Sequence, residues 1–195
     1  MMRLVLEKVP ARLVPWGALS LVLLLHACAS VQLPAGKAQQ SVFDVQARVS
    51  VQYSEEQLSG LLHWRAEVDH VGAELDEVLL SSPLGQGLAR ITRDAGGVML
   101  VRPGEPDVTA ENAEKLTEST LGFRLPLNGL RYWIQAKPDT ARENHVTQNT
   151  SGEITQIVQD GWTIDYLQYR ESRPRKINVR REGIQIRLVI DEWRP

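Results

Sequence analysis

The segment FDVQARVSVQY, residues 43–53, alternates apolar and polar side chains at every position. Its odd-numbered residues are apolar or aromatic, whereas Asp, Gln, Arg and Ser occupy the even-numbered positions. Because successive side chains of a β-strand point to opposite faces, this period of two predicts a strand with one buried face. Strands of that kind are typical of an antiparallel sheet that packs on one side only.

Similar strand patterns continue along the chain on both sides of a central helical insertion. Turns that contain Pro or Gly, such as Asp160-Gly161, separate them and indicate hairpins. On the third strand the odd-numbered residues, among them Leu75, are assigned to the apolar face. After the first strand, strands are predicted over residues 58–66, 71–81, 88–93, 98–102, 154–159, 162–169, 177–181 and 184–190.

The central insertion carries helical spacing instead. Thr109 can cap a first helix, which Gly122 ends. A second helix begins near Pro126 and ends before Pro138. Between the strands, these are the elements available to cover an apolar sheet face.

Together the elements predict a mainly β protein of the α+β class. A single antiparallel sheet of about ten strands cannot stay flat, because strand twist accumulates across it. We therefore expect one curved antiparallel sheet that forms an open half-barrel, with helices from the central insertion capping an apolar cavity. The same pattern also suits a packed α+β domain without a cavity.

The first 27 residues have the features of a secretory signal peptide that is cleaved. Three basic residues precede an apolar run that is too short to cross a bilayer. The run ends in Leu25-His26-Ala27-Cys28, which is similar to the lipobox of bacterial lipoproteins and implies that Cys28 is the lipid anchor. An uncleaved anchor with an incidental thiol is the alternative. Residues 28–41 then form the lipidated cysteine and a polar tether, and residues 42–195 form the domain.

Composition narrows the classes of partner and site. Removal of residues 1–27 takes away three basic residues and one acidic one, which changes the formal net charge from −2 to −4. This charge argues against nucleic acid as a partner, because phosphate binding needs a dense basic surface. The single cysteine excludes an internal disulfide and a multi-cysteine zinc site. We expect no metal and no cofactor.

Catalytic signatures are absent from the sequence. It contains no Gly-x-Ser-x-Gly elbow, no His-Glu-x-x-His motif and no phosphate-binding loop. The protein is therefore predicted not to be an enzyme. An esterase is kept as an alternative, in which Ser59 or Ser82 would act with His63.

Four short segments carry a recognisable pattern in this order: residues 82–86, residues 121–133, residues 159–162 and residues 184–193. Together they resemble the LolB family of outer-membrane lipoprotein receptors. Residue 29 is Ala rather than an acidic residue, which by resemblance to lipoprotein sorting implies the outer membrane. The resemblance covers about residues 43–193 and implies the family's open half-barrel with helices over a hydrophobic cavity.

The resemblance implies a lipid-anchored receptor that faces the periplasm of a Gram-negative bacterium. Such a receptor accepts acylated lipoproteins from a periplasmic LolA-like carrier and inserts them into the outer-membrane lipid. We expect a monomer. A scaffolding or tethering lipoprotein that carries no lipid is the alternative function.

Site residues follow from the same resemblance. Pro83, Leu84 and Gly85 correspond to a protruding loop that delivers lipoproteins to the membrane, although a Leu84 side chain packed on the sheet edge would also fit the sequence. The predicted acyl-chain cavity has a sheet side and a helix side, and its residues could equally form an ordinary core. They are Phe43, Val45, Ala47, Val49, Trp64 and Leu75 on the sheet, and Leu116, Leu127, Leu130 and Trp133 on the helices.

Overall fold

The computed structural model describes residues 40–121 and 124–194. The predictions for the signal peptide, for Cys28 and its tether up to residue 39, and for Gly122 lie outside these residues. Six strands precede the helices: β1 (Gln40–Tyr53), β2 (Glu56–Val68), β3 (Glu74–Ser81), β4 (Gly87–Asp94), β5 (Gly97–Val101) and β6 (Val108–Ala110). Two helices and five strands follow: α1 (Ala113–Leu121), α2 (Leu127–Trp133), β7 (Asn144–Gln148), β8 (Ile154–Gln159), β9 (Trp162–Arg170), β10 (Arg173–Arg181) and β11 (Ile184–Arg194).

All eleven strands belong to one antiparallel sheet, which confirms the predicted fold class. The strand order is β6-β5-β4-β3-β2-β1-β11-β10-β9-β8-β7. The first and last strands are therefore neighbours in the middle of the sheet, and β6 and β7 lie at its two edges. The helices belong to the connection between these edges, so this connection must pass over a face of the sheet.

The contacts of α2 show that the sheet is curved. Arg131 of α2 bonds Asp76 of β3, while Trp133 bonds Gln159 of β8. These two strands are six positions apart in the sheet, which is about 29 Å in a flat sheet. A helix advances only about 3 Å over two residues. Both contacts can form at once only because the sheet bends around α2.

The core fills the inner face of this curved sheet. One apolar row of paired residues crosses β1 to β5 and contains Val45, Trp64, Val78, Ile91 and Leu100. A second row of paired residues, which are β-branched, crosses the other half of the sheet from β1 through β11, β10 and β9 to β8. Helix residues cover both rows, and the buried apolar side chains of the described chain all fall within residues 43–190. A fragment that begins after Cys28 therefore keeps this whole core.

The start of the first helix differs from the prediction. Thr109 does not cap it, because residues 108–110 pair with β5 as the edge strand β6, with Thr109 opposite Met99. Asn112 caps α1 instead, since its Oδ1 accepts a hydrogen bond from the backbone N–H of Lys115 at 2.9 Å. Thr and Asn are both good caps, and the free edge of β5 decides between them.

The assignment of faces on the third strand was wrong. Strand β3 begins at Glu74, and its buried residues are Asp76 and Val78. Leu75 pairs with Glu67 on the opposite face, so it does not line the interior. The apolar residues at odd positions suggested the reverse, because nothing local shows that a carboxylate at position 76 has buried partners.

Candidate functional site

A tight turn between β3 and β4 holds Leu84 in solvent. The backbone N–H of Ser82 donates to the carbonyl of Gln86, and the N–H of Gly85 donates to the carbonyl of Ser82, each at 2.8 Å. Pro83 has a restricted φ, and Gly85 adopts φ +83°, which a residue without a Cβ reaches without strain. The Leu84 side chain is 91% exposed, so it is not packed on the sheet edge.

The surroundings of this turn are uncharged and partly apolar. Residues 79–89 contain no Asp, Glu, Lys or Arg. Leu58, Leu61 and Leu88 are also exposed, and Leu61 pairs with Ser81 directly beside the turn. Exposure of leucine side chains to water is unfavourable, so their grouping indicates that this corner is a surface that can contact an apolar environment.

The residues predicted to line a cavity are brought together, apart from Leu75. They join one apolar cluster in which Val49 is partly buried and the others are buried. Here they pack against one another. Three grooves on the described chain are lined largely by polar side chains near strand ends and contain none of these residues. The capping of an open cavity therefore stays a prediction.

A buried ionic cluster fixes α2 to the first half of the sheet. Asp76 Oδ1 accepts hydrogen bonds from Trp64 Nε1 at 2.8 Å and from Arg131 Nη1 at 2.6 Å. Asp76 Oδ2 accepts a third from Arg93 Nε at 2.6 Å. Arg131 also donates to the carbonyl of Glu67 at 2.7 Å. Sequence reasoning missed this cluster, although an arginine within the short apolar helix α2 was a signal for it.

The end of α2 is fixed to the second half of the sheet. Trp133 Nε1 donates to Gln159 Oε1 at 2.9 Å, and the Tyr166 hydroxyl donates to the Trp133 carbonyl at 2.7 Å. Burial raises the pKa of Tyr166 well above its ordinary value, so the hydroxyl remains a donor at neutral pH. Gln159 in turn donates to the carbonyl of Asp139 at 2.8 Å. Helix α2 is thus held from both sides of the inner face.

The residues of the esterase alternative are not assembled for catalysis. His63 Nε2 lies 2.8 Å from Asp44 Oδ1. Burial works to raise the pKa of Asp44, but the hydrogen bonds and charges of His63 and Arg65 outweigh it and lower the pKa. Ser59 precedes His63 by four residues on the same strand, which places them about 13 Å apart. The geometry brings this serine nowhere near the histidine.

Ser82 is occupied elsewhere and lies at a distance from His63. Its Oγ accepts a hydrogen bond from the backbone N–H of Gln86 at 3.2 Å, as part of the Leu84 turn. His63 pairs across the strands with Leu79, three residues before Ser82, which corresponds to about 10 Å along the strand. Within residues 40–121 and 124–194, no group of three or more His, Cys, Asp or Glu side chains is arranged to hold a metal ion.

Comparison with known proteins connects this architecture to one family. Residues 41–193 match the family described as "Outer membrane lipoprotein LolB". The chain belongs to the LolB family. It is 47% identical to the outer-membrane lipoprotein LolB of Thiobacillus denitrificans, over 89% of this chain and 94% of that protein. It is 32% identical to the LolB of Nitrosomonas europaea, over 90% of each chain.

Membership of the LolB family indicates where in the cell the protein is located. It is an outer-membrane lipoprotein of a Gram-negative bacterium and takes part in lipoprotein localization, as predicted. No helix in the described part of the chain is long and apolar enough to cross a bilayer. The match spans nearly the whole described sheet, so the Leu84 turn and the α2 attachments lie within the family domain.

Proposed function

We propose that this LolB-family protein accepts acylated lipoproteins from a LolA-like periplasmic carrier and inserts them into the outer membrane. In this proposal residues 1–27 are cleaved, Cys28 carries the lipid anchor, and the domain faces the periplasm as a monomer without catalytic activity. The observation that carries the proposal is the Leu84 side chain, which a rigid turn holds in solvent on an outer-membrane lipoprotein.

The need for such a receptor follows from the cost of exposing acyl chains. Burial is worth about 0.8 kcal/mol per methylene, so one long acyl chain in water costs on the order of 10 kcal/mol. An acylated protein therefore needs an apolar host at each step between membranes. Without a chemical energy source, transfer from carrier to receptor to bilayer requires that each host bind the acyl chains more favourably than the host before it.

The proposed host for the acyl chains is the inner face under α1 and α2. Its nine predicted residues already form one apolar cluster, and they offer no obligatory polar contact that would restrict the cargo. Since these residues pack on one another, acyl chains enter only when the helices move away from the sheet. The buried bonds of Asp76, Arg131 and Gln159 would then control how far α2 can separate.

Leu84 is proposed to enter the lipid surface while cargo leaves the domain. Full burial of a leucine side chain contributes about 1.5–3 kcal/mol, which is enough for a brief contact and too little for permanent insertion. The uncharged segment 79–89 lets the turn approach the bilayer without moving a charge out of water.

A transfer assay separates acceptance from delivery. Soluble protein lacking residues 1–28 is mixed with carrier that holds an acylated lipoprotein, and phospholipid vesicles are then added. The Leu84→Glu variant should accept cargo but fail to pass it to the vesicles. Leu167→Glu is the matched control, because Leu167 is an exposed leucine on β9, away from the turn. Normal delivery by Leu84→Glu would exclude the proposed role.

A scaffolding lipoprotein is the second candidate, and the closely packed inner face favours it. In that case the cluster is an ordinary core and Leu84 contacts a protein partner. An apolar fluorescent probe distinguishes the two functions: saturable binding at one site supports the receptor. Folded protein that binds no probe and takes no cargo from the carrier supports the scaffold.

A further inference from the structure

A segment at the turn between β9 and β10 concentrates unpaired positive charge. Residues 170–176 read RESRPRK and contain four basic residues and one acidic one. Among the described residues, Arg170, Arg173, Arg175 and Lys176 form no ion pair. Most other arginines of the sheet do, so this segment, which we call the basic turn, stands apart electrostatically.

Two acids of β11 that border the basic turn are already paired, and Glu171 within the turn leaves the segment a formal charge of +3. Asp191 and Glu192 border the same groove, but Asp191 binds Arg48 at 2.9 Å and Glu192 binds Arg194 at 3.2 Å. Their charges are compensated from β1 and from the end of β11. The field of the basic turn is therefore not cancelled locally, although the mature chain is acidic as a whole.

The basic turn is also held in place. The Arg173 guanidinium lies over the Trp193 ring, 5.4 Å from its centroid, and Trp193 Nε1 donates to the Pro174 carbonyl at 3.2 Å. The Trp193 ring packs edge-on against Phe43 of β1, with centroids 6.2 Å apart. A fixed group of cations binds a charged surface with a smaller loss of conformational entropy than a floppy one.

The position of the basic turn relates it to the lipid anchor. It projects toward the end of the sheet where β1 begins, and β10 is two strands, about 10 Å, from β1. Lys176 pairs with Val189 and Val189 pairs with Arg48, so Lys176 lies eight residues along β1 from Gln40, about 26 Å. Cys28 precedes Gln40 by twelve residues, so it is at most about 43 Å from the start of β1. The Leu84 turn projects in the opposite direction, because it follows the end of β3 whereas the basic turn precedes β10, which runs parallel to β3. Ser81 and Lys176 nevertheless lie in one row of the sheet, through the pairs of Leu61 with Ser81 and with Arg48.

We infer that the basic turn docks on anionic phospholipid headgroups of the membrane in which Cys28 is anchored. This inference rests on the lipid anchor of the proposed function but not on cargo transfer. Electrostatic attraction to a lipid surface extends only about 10 Å in physiological salt. The tether permits such an approach, because it holds the domain beside the bilayer and is long enough for the basic turn to contact the headgroups.

Docking would define a resting orientation of the receptor. With the basic turn on the membrane, the Leu84 turn points into the periplasm, on the side from which a carrier arrives. Ser81 is seven residues from the Gln40 row along β2, about 23 Å, which is less than the reach of the tether. The domain can therefore turn over and bring Leu84 to the same bilayer without release of the anchor.

Vesicle sedimentation of the soluble domain tests the docking. The domain lacking residues 1–28 keeps the core and has no anchor to mask weak binding. We compare vesicles of phosphatidylcholine alone with vesicles that also contain phosphatidylglycerol, at low and high salt. Binding should require phosphatidylglycerol and should fall with salt.

A charge-matched pair of variants assigns the binding to the basic turn. The test variant combines Arg170→Gln, Arg173→Gln and Lys176→Gln and leaves the half-buried Arg175 intact. The control combines Lys137→Gln, Arg181→Gln and Arg187→Gln, which removes three exposed cations that also lack ion pairs; Arg181 lies over Trp162 as Arg173 lies over Trp193. The unfolding midpoints of both variants should stay close to that of the parent domain, because each variant loses only surface contacts.

The expected result is a loss of about tenfold or more in the vesicle partition coefficient of the test variant, since each basic residue at an anionic surface is worth about fivefold. The control should change by less than about threefold. Equal losses in both variants, or binding that phosphatidylglycerol does not increase, would overturn the inference. Cargo acceptance and Leu84-dependent delivery should persist in the test variant. A negative result for docking would therefore not contradict the proposed function.

Discussion

Replacement of Asp76 by alanine tests whether the buried carboxylate holds α2 on the sheet. Its side chain is 6% exposed and that of Arg131 is 3% exposed. Removing the carboxylate leaves Arg131 buried with backbone carbonyls and with the half-exposed Glu74, whose Oε1 lies 3.6 Å from Arg131 Nε. Trp64 Nε1 loses its acceptor. Arg93 keeps Glu74, which lies 2.9 Å away. Two arginines then share the single carboxylate of Glu74, and the more distant and more buried one, Arg131, loses most of its compensation.

The magnitude follows from the cost of removing one partner of a buried ion pair. Breaking a buried ion pair on one side costs about 3–5 kcal/mol. A domain of this size has a free energy of unfolding of about 5–15 kcal/mol. With a urea dependence of about 2 kcal/mol per molar, the unfolding midpoint should fall by about 2 M. Asp191→Ala breaks an exposed pair, in which the side chains are 58% and 44% exposed, and should leave the unfolding midpoint nearly unchanged because water screens the pair.

Urea unfolding of the soluble domain, followed by circular dichroism, measures both variants. Adding Arg131→Met to Asp76→Ala should restore part of the lost stability, because it removes the stranded charge. If Asp76→Ala costs no more than Asp191→Ala, or if Arg131→Met adds a further full loss, the carboxylate does not stabilise α2 in the way described.

Three other substitutions have clear expected results. Asp44→Asn should make the stability fall less steeply as the pH drops below about 4. His63 and Arg65 hold the pKa of Asp44 low in the folded state, and the stability that they provide is lost when the carboxylate is protonated. Urea unfolding midpoints measured at several pH values test this expectation. Gly129→Ala should destabilise the domain by about 1–3 kcal/mol, since a Cβ there would lie 2.6 Å from the Trp133 ring; a thermal melt measures it. Asn112→Ala should cost about 1 kcal/mol in the same melt through loss of the α1 cap.

The chain sequence by itself determined the features that depend on neighbouring residues. The alternation of residues 43–53 gave the inner face of β1, and Val45 and Ala47 are buried as expected. The Asp160-Gly161 pair predicted the turn between β8 and β9, which the pairing of Gln159 with Trp162 confirms. Short-range signals are sufficient here because strand alternation and turn conformation are set within a few covalently linked residues.

Only the tertiary structure decided the features that depend on distant residues. Leu75 and Asp76 exchange their predicted faces because Arg131, 55 residues after Asp76, supplies the buried partner. Thr109 becomes part of a strand because β5 offers a free edge. The basic turn is unpaired because Asp191 is bound by Arg48, which is 143 residues away. Such choices follow from which side chains the curved sheet brings together, and no local pattern contains that information.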